Sequence, residues 1–182
     1  MDNKYHVYII VMVGFLIASV GTWANAEDPI SPEKKAIEMA KKSIMFHDKQ
    51  LGDVTTEEIL DNISTRVSNG QIKNFNILGW EAVEVSESIY TVVLKSKHDG
   101  DNSCYLFHVE VNNNVARYID LGKGEDRQIK TMAEYVVFVQ VLSTYTAEIV
   151  SQKLKKILSA CMNEEDVKYL EDLNILKWEK EE

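Results

Sequence analysis

The chain has 182 residues, with 20 Lys and Arg against 29 Asp and Glu, a formal charge of −9. That balance excludes a general nucleic-acid binder, which needs basic side chains to neutralise phosphates. Two prolines, eight glycines and two cysteines leave no flexible linker, no disulfide-dense scaffold and no cysteine-rich zinc site.

The N-terminus reads as a secretory signal peptide over residues 1–26. Lys4 precedes an apolar run of 14 residues, Val7 to Val20. As a helix that run spans roughly 21 Å, short of the roughly 30 Å hydrocarbon core. Ala24-Asn25-Ala26 then offers small residues at the −3 and −1 positions of a cleavage site. Cleavage after Ala26 leaves a mature chain, 27–182, that keeps the −9 charge because Lys4 and Asp2 leave together. The expected destination is the periplasm or the exterior. The alternative is an uncleaved anchor extended through Trp23, since Asp2 offsets Lys4. No cysteine lies near the cleavage site to carry a lipid. No later segment has the length and apolarity of a membrane span, so no stable membrane insertion is expected after cleavage.

The mature chain reads as one α+β domain with no internal boundary. The first helix is expected over 32–47. Ser31 can cap it, Pro32 suits the first turn, Glu33 faces the positive dipole end, and Ile37, Ala40, Ile44 and Met45 recur on one side. A second helix is expected over 56–69, capped by Thr55 or Thr56. Ile59, Ile63 and Val67 form its apolar stripe and Gly70 its left-handed stop. Asn62-Ile63-Ser64 inside it is a formal glycosylation sequon that chance explains.

The period then changes to alternation, giving a three- to four-stranded antiparallel meander over about 77–121. "ILGWEAVEV", "SIYTVVLKSK", "CYLFHVEV" and "VARYIDL" are its strands, and "HDGDN" and "NNN" its turns. Tyr90, Val92 and Leu94 share a face, as do Tyr105, Phe107, Val109 and Val111. Gly122 and Gly124 break the chain before a C-terminal helical region over about 126–172. Ile129, Met132, Val136 and Val139 lead into a stripe of Ala147, Val150, Leu154, Ile157, Leu158 and Cys161 with no turn signal between. One long or kinked helix is the expectation; "YVVFVQVL" as a buried strand is the alternative. Asn163 with Glu164 and Glu165 starts a short final helix. An all-round apolar helix must be covered, and residues 135–142 are the expected seam of a homodimer if their own subunit leaves them bare.

Little chemistry is spelled out. Of His47, His98 and His108, none has a ligand partner at a metal-binding spacing. Glu110 follows His108 on the same strand face, with Arg117 and Lys95 as expected neighbours. That pair could carry general acid–base work. The default for it is the wet outer face of an antiparallel sheet. "HDGDNS" alternates Asp99, Asp101 and Ser103 as a calcium loop does, without the loop's sixth-place glycine; a hairpin turn is the default. No G-x-S-x-G, P-loop or dinucleotide fingerprint is present, and no metal or cofactor is expected. Trp80 has a core or sheet-edge role by default. Cys104 and Cys161 form a disulfide in an oxidising compartment if their backbones come close; two half-buried thiols are the default.

The stretch "GWEAVEVSESIYTVVLKSKHDGDNSCYLFHVEVNNNVARYID" resembles the meander of small exported α+β domains, in which W-x-V, Y-x-V and F-x-V-N strands follow one or two helices. The layout is similar to cystatin-like and NTF2-like folds, where a helix packs on a curved antiparallel sheet. The resemblance covers about 40 residues and implies a scaffold, not a catalytic residue. The expected function is therefore that of an exported, non-enzymatic binding or inhibitor-type protein with an unidentified, basic protein partner. The alternative is a small hydrolase-like enzyme using His108 and Glu110.

Overall fold

Ser43 ends the first helix earlier than its periodicity suggests. Helix α1 spans Pro32–Lys41; just beyond it the Ser43 hydroxyl donates to the Ala40 carbonyl at 2.7 Å. The Ser43 carbonyl accepts the Thr56 amide at 3.0 Å, and both residues are buried. That clasp draws together the two ends of a hairpin, strands β1 (Ile44–Asp48) and β2 (Gly52–Thr55). The expectation of helix through residue 47 is therefore corrected: Ile44 and Met45 belong to a strand. The Asp48 carboxylate accepts the Gln50 and Leu51 amides at 2.7 and 2.9 Å, which builds the turn. Gly52 at φ +82° closes it, a conformation glycine adopts without a Cβ clash.

The computed structural model describes residues 30–121, 129, 131–142 and 147–173, with the side chains of 142 and 147–151 excepted. The chain divides into units Met1–Ser31 and Pro32–Glu182, and the described helices and strands all lie in the second. The cleavage residues Ala24 and Ala26, the Gly122–Gly124 break and the continuity of a helix across 143–146 lie outside the described residues. The described chain is α+β, with five helices and two antiparallel sheets of two and four strands.

Helix α2 (Thr56–Ser68) starts on a capping box. The Glu58 amide donates to Thr55 Oγ1, and the Thr55 amide donates to the Glu58 carboxylate. Thr55, not Thr56, is thus the cap. The meander follows as β3 (Phe75–Ser86), β4 (Ile89–His98), β5 (Asp101–Glu110) and β6 (Val115–Ile119), paired in that order. Asp99 and Gly100 both have positive φ in the two-residue β4–β5 turn.

Both faces of this sheet are apolar, and both are covered. On one, Tyr90, Val92, Leu94, Phe107 and Val109 pack against Ala36 and Ala40 of α1. Trp80 joins them at the rim, its ring 5.6 Å from that of Phe107. On the other, Val85, Val93 and Leu106 lie under three C-terminal helices: α3 (Met132–Leu142), α4 (Ala147–Leu158) and α5 (Glu164–Asp172). The wet outer face expected for the meander is therefore overturned. Val136 and Val139 of α3, and Leu154 and Leu158 of α4, need a lid or must act as one, and the second sheet face is the apolar surface within reach. "YVVFVQVL" is helical, and its Tyr135, Val136 and Val139 are buried within the subunit. Phe138 and Val141 remain exposed.

Two devices fix this layer. Buried Asp166 of α5 accepts the Asn163 amide at its own helix start and the Ala133 amide in the first turn of α3. Cys104 of β5 and Cys161, just past α4, form a disulfide with Cα atoms 5.9 Å apart. Two separate thiols, the sequence default, are replaced by a bond because the helical layer lies directly on the strand that carries Cys104.

Candidate functional site

The alternation of β5 places His108 and Glu110 beside Leu106 on the face beneath α3. His108 Nε2 lies 3.5 Å from Glu110 Oε1, and the residue is 8 % exposed. Its Nδ1 is buried with no hydrogen-bond partner among the described residues. The Phe138 ring meets the imidazole edge-on, with centroids 6.2 Å apart. Burial holds the His108 pKa below the ordinary histidine value; the Glu110 carboxylate opposes that shift and Arg117 adds to it. Arg117 is the register partner of His108 on β6. Glu110 stays ionised well into acid because Asn113 Nδ2 donates to it at 2.7 Å. Lys95, the other expected neighbour, pairs instead with Glu81 at 2.9 Å. The cluster is thus a neutral imidazole against a carboxylate under an aromatic lid. Nδ1 is buried on the imidazole's far side, while the Glu110 carboxylate is partly exposed.

The titration of His108 has a consequence for stability. The unfolded imidazole protonates near pH 6.5, while the folded one resists protonation to a lower pH. Between those values the unfolded state binds more protons, so stability falls as pH drops below about 6.5. Urea unfolding of the oxidised protein between pH 7 and pH 5 is expected to show that loss. His108→Leu is expected to flatten that part of the profile, and an unchanged profile in the variant contradicts the assignment.

A different place has the shape of a binding site. The β1–β2 hairpin and α2 enclose a groove of about 570 Å³. Its apolar lining is Phe46, Leu51 and Val54 from the hairpin and Ile59 and Ile63 from α2. Phe46 and Leu51 are 51 % and 80 % exposed. The two isoleucines belong to the stripe that periodicity assigns to the core, yet they are only half-buried. They also face a small void of about 40 Å³ on their inner side, shared with Phe75 and Leu94. The polar edge of the groove comes from the same helix at i, i+4 and i+8: Glu58, Asn62 and Arg66. Asp48 and Asp53 complete it from the hairpin. His47 holds Asp53 through a 2.8 Å contact. The pKa values of Asp48 and Glu58 are both lowered, by the Leu51 and Thr55 amides respectively, so both stay charged. Neither cavity is lined by His108 or Glu110.

Sequence reasoning points to His108 and Glu110 and misses this groove. The overlooked signal is "HDKQLGD", where Asp48 and Gly52 frame a turn just past the expected helix end at residue 47. Asp99 lies in the β4–β5 turn, where Asn74 Nδ2 donates to it at 3.1 Å, while Asp101 and Ser103 belong to β5 and pair with His98 and Ser96. Among the described residues no group of three or more His, Cys, Asp or Glu is arranged to hold a metal. No described helix is long and apolar enough to cross a membrane. No protein-family model, curated protein or solved structure matches the chain.

Proposed function

We propose that the chain is an exported, non-enzymatic binding protein whose partner docks in the groove between the β1–β2 hairpin and α2. The observation that carries this reading is the pair Phe46 and Leu51, large apolar side chains held in the open above a half-buried isoleucine stripe. Single exposed apolar side chains are common, but several lining one groove mark a binding surface. Export is supported by the apolar run ahead of Ala24-Asn25-Ala26 and by the Cys104–Cys161 bond, which suits an oxidising compartment. The binding reading draws further support from the burial of His108, which leaves only the carboxylate of the most attractive acid–base pair partly open to solvent.

Site-specific photo-crosslinking tests it. A photoreactive residue replaces Leu51 in one variant and Val141, equally exposed on α3, in another. Both are produced with the full leader, in living cells. The expected result is one discrete adduct from position 51 and none from position 141, carried by a chain processed to Glu27. Adducts of equal yield from both positions, or none from position 51, overturn the groove. A chain retaining residues 1–26 overturns processing.

A further inference from the structure

We infer that the groove selects a cationic peptide segment with apolar side chains, which lays those side chains on Ile59 and Ile63 and its basic groups against Asp48, Asp53 and Glu58. The inference rests on the binding reading above and adds the chemistry of the partner. The lining carries three carboxylates and one cation, Arg66. Each carboxylate is fixed by the fold through one oxygen. Asp48 Oδ1 takes the two turn amides, Asp53 Oδ1 takes His47, and Glu58 Oε2 takes the Thr55 cap. The second oxygen of each accepts no hydrogen bond from a described residue. Three anions are therefore held in place before any ligand arrives, and a Lys or Arg side chain meets them with little reorganisation.

An anionic or purely apolar segment fits less well. Closing the groove with an anion would desolvate like charges against each other, and a neutral segment leaves the three carboxylates without partners. Arg66 lies eight residues beyond Glu58, about 12 Å further along α2, and repels a cation at that end. It is exposed, in the last turn of the helix. The net charge of −9 acts in the same direction at longer range, steering cationic partners toward the chain.

The test uses three peptides of equal length and equal leucine content. Their remaining positions are lysine and serine, glutamate and serine, or serine alone. Each is titrated into the ¹⁵N-labelled mature chain, 27–182, and amide shifts are followed. The lysine peptide is expected to shift amides of the hairpin and α2, with an affinity about tenfold above that of the glutamate peptide. The gap is expected to shrink between about 0.15 M and about 1 M salt, as the Debye length falls from about 8 Å to about 3 Å. Leu51→Ser and Asp53→Asn, both at exposed positions, are expected to weaken the lysine peptide. Arg66→Glu is expected to tighten it several-fold, an effect of opposite sign that a damaged fold does not produce. Equal affinity for all three peptides at the groove overturns the selection for cations and leaves the groove as a binding site. Shifts from none of them, or shifts confined to other elements, overturn both.

Discussion

Replacing Cys104 and Cys161 together by alanine is expected to lower the stability of the protein by about 4 kcal/mol. The bond closes a loop of 57 residues that includes β6 and all of α3 and α4. Without it the unfolded chain regains the entropy of that loop, which grows only logarithmically with length. The folded state keeps its apolar layer, so the effect falls chiefly on the unfolded ensemble. For a domain of this size the midpoint of thermal unfolding should drop by about 10 °C. Calorimetry of the native protein with and without reductant, beside the double alanine variant, checks this. Reductant should move the native protein to the variant's midpoint and leave the variant where it is. A native midpoint insensitive to reduction contradicts the assignment of the bond as a structural clamp.

The second large effect is expected at Tyr135. Its ring is fully buried in the core between α3 and the sheet, and its hydroxyl meets Thr91 Oγ1 of β4 at 3.1 Å. Burial pushes the Tyr135 pKa far above its ordinary value, so the hydroxyl stays neutral at any physiological pH. Tyr135→Ala should cost about 4 kcal/mol, combining lost transfer energy with an unfilled cavity. Tyr135→Phe isolates the polar contact. It leaves the Thr91 hydroxyl buried without this partner and should cost about 1–3 kcal/mol. Thr91→Val in the same background should recover part of that loss, because removing both partners leaves no orphan. Denaturant unfolding of the four proteins of that cycle gives the coupling directly. Strict additivity of the two single changes would show that the hydroxyls do not stabilise each other.

The parts of the fold legible in the sequence are those whose signal is local. The α2 cap, the Gly70 stop and the Asp99–Gly100 turn are each written in two to four residues, and the structure uses them. The alternation of Tyr90, Val92 and Leu94 announces one buried face correctly. It could not announce the second, because Thr91, His108 and Glu110 read as polar until a helix is laid on them. That cover comes from residues more than twenty positions away, and nothing local to β5 encodes it. The end of α1 was hidden for a related reason. Ile44 and Met45 continue a helical spacing, and what overrides it is the contact between Ser43 and Thr56, thirteen positions apart. The groove was illegible because its defining property is incomplete burial: Ile59 and Ile63 carry the same pattern whether or not the stripe is covered.

The sheet that is roofed from both sides has a history written into its order of manufacture. Everything beneath Tyr90, Val92 and Phe107 precedes or belongs to the meander, so that side can close once β6 has been made. The side bearing Val85, Val93 and Leu106 has no roof until α3, α4 and α5 exist. At about 5–20 residues per second, the interval between the synthesis of Leu106 and that of Leu170 is roughly 3–13 s. During it the nascent chain carries a bare oily sheet and an unmated Cys104 thiol, both open to the wrong neighbour. A chain truncated short of Met132 keeps that face without its cover and is therefore expected to aggregate.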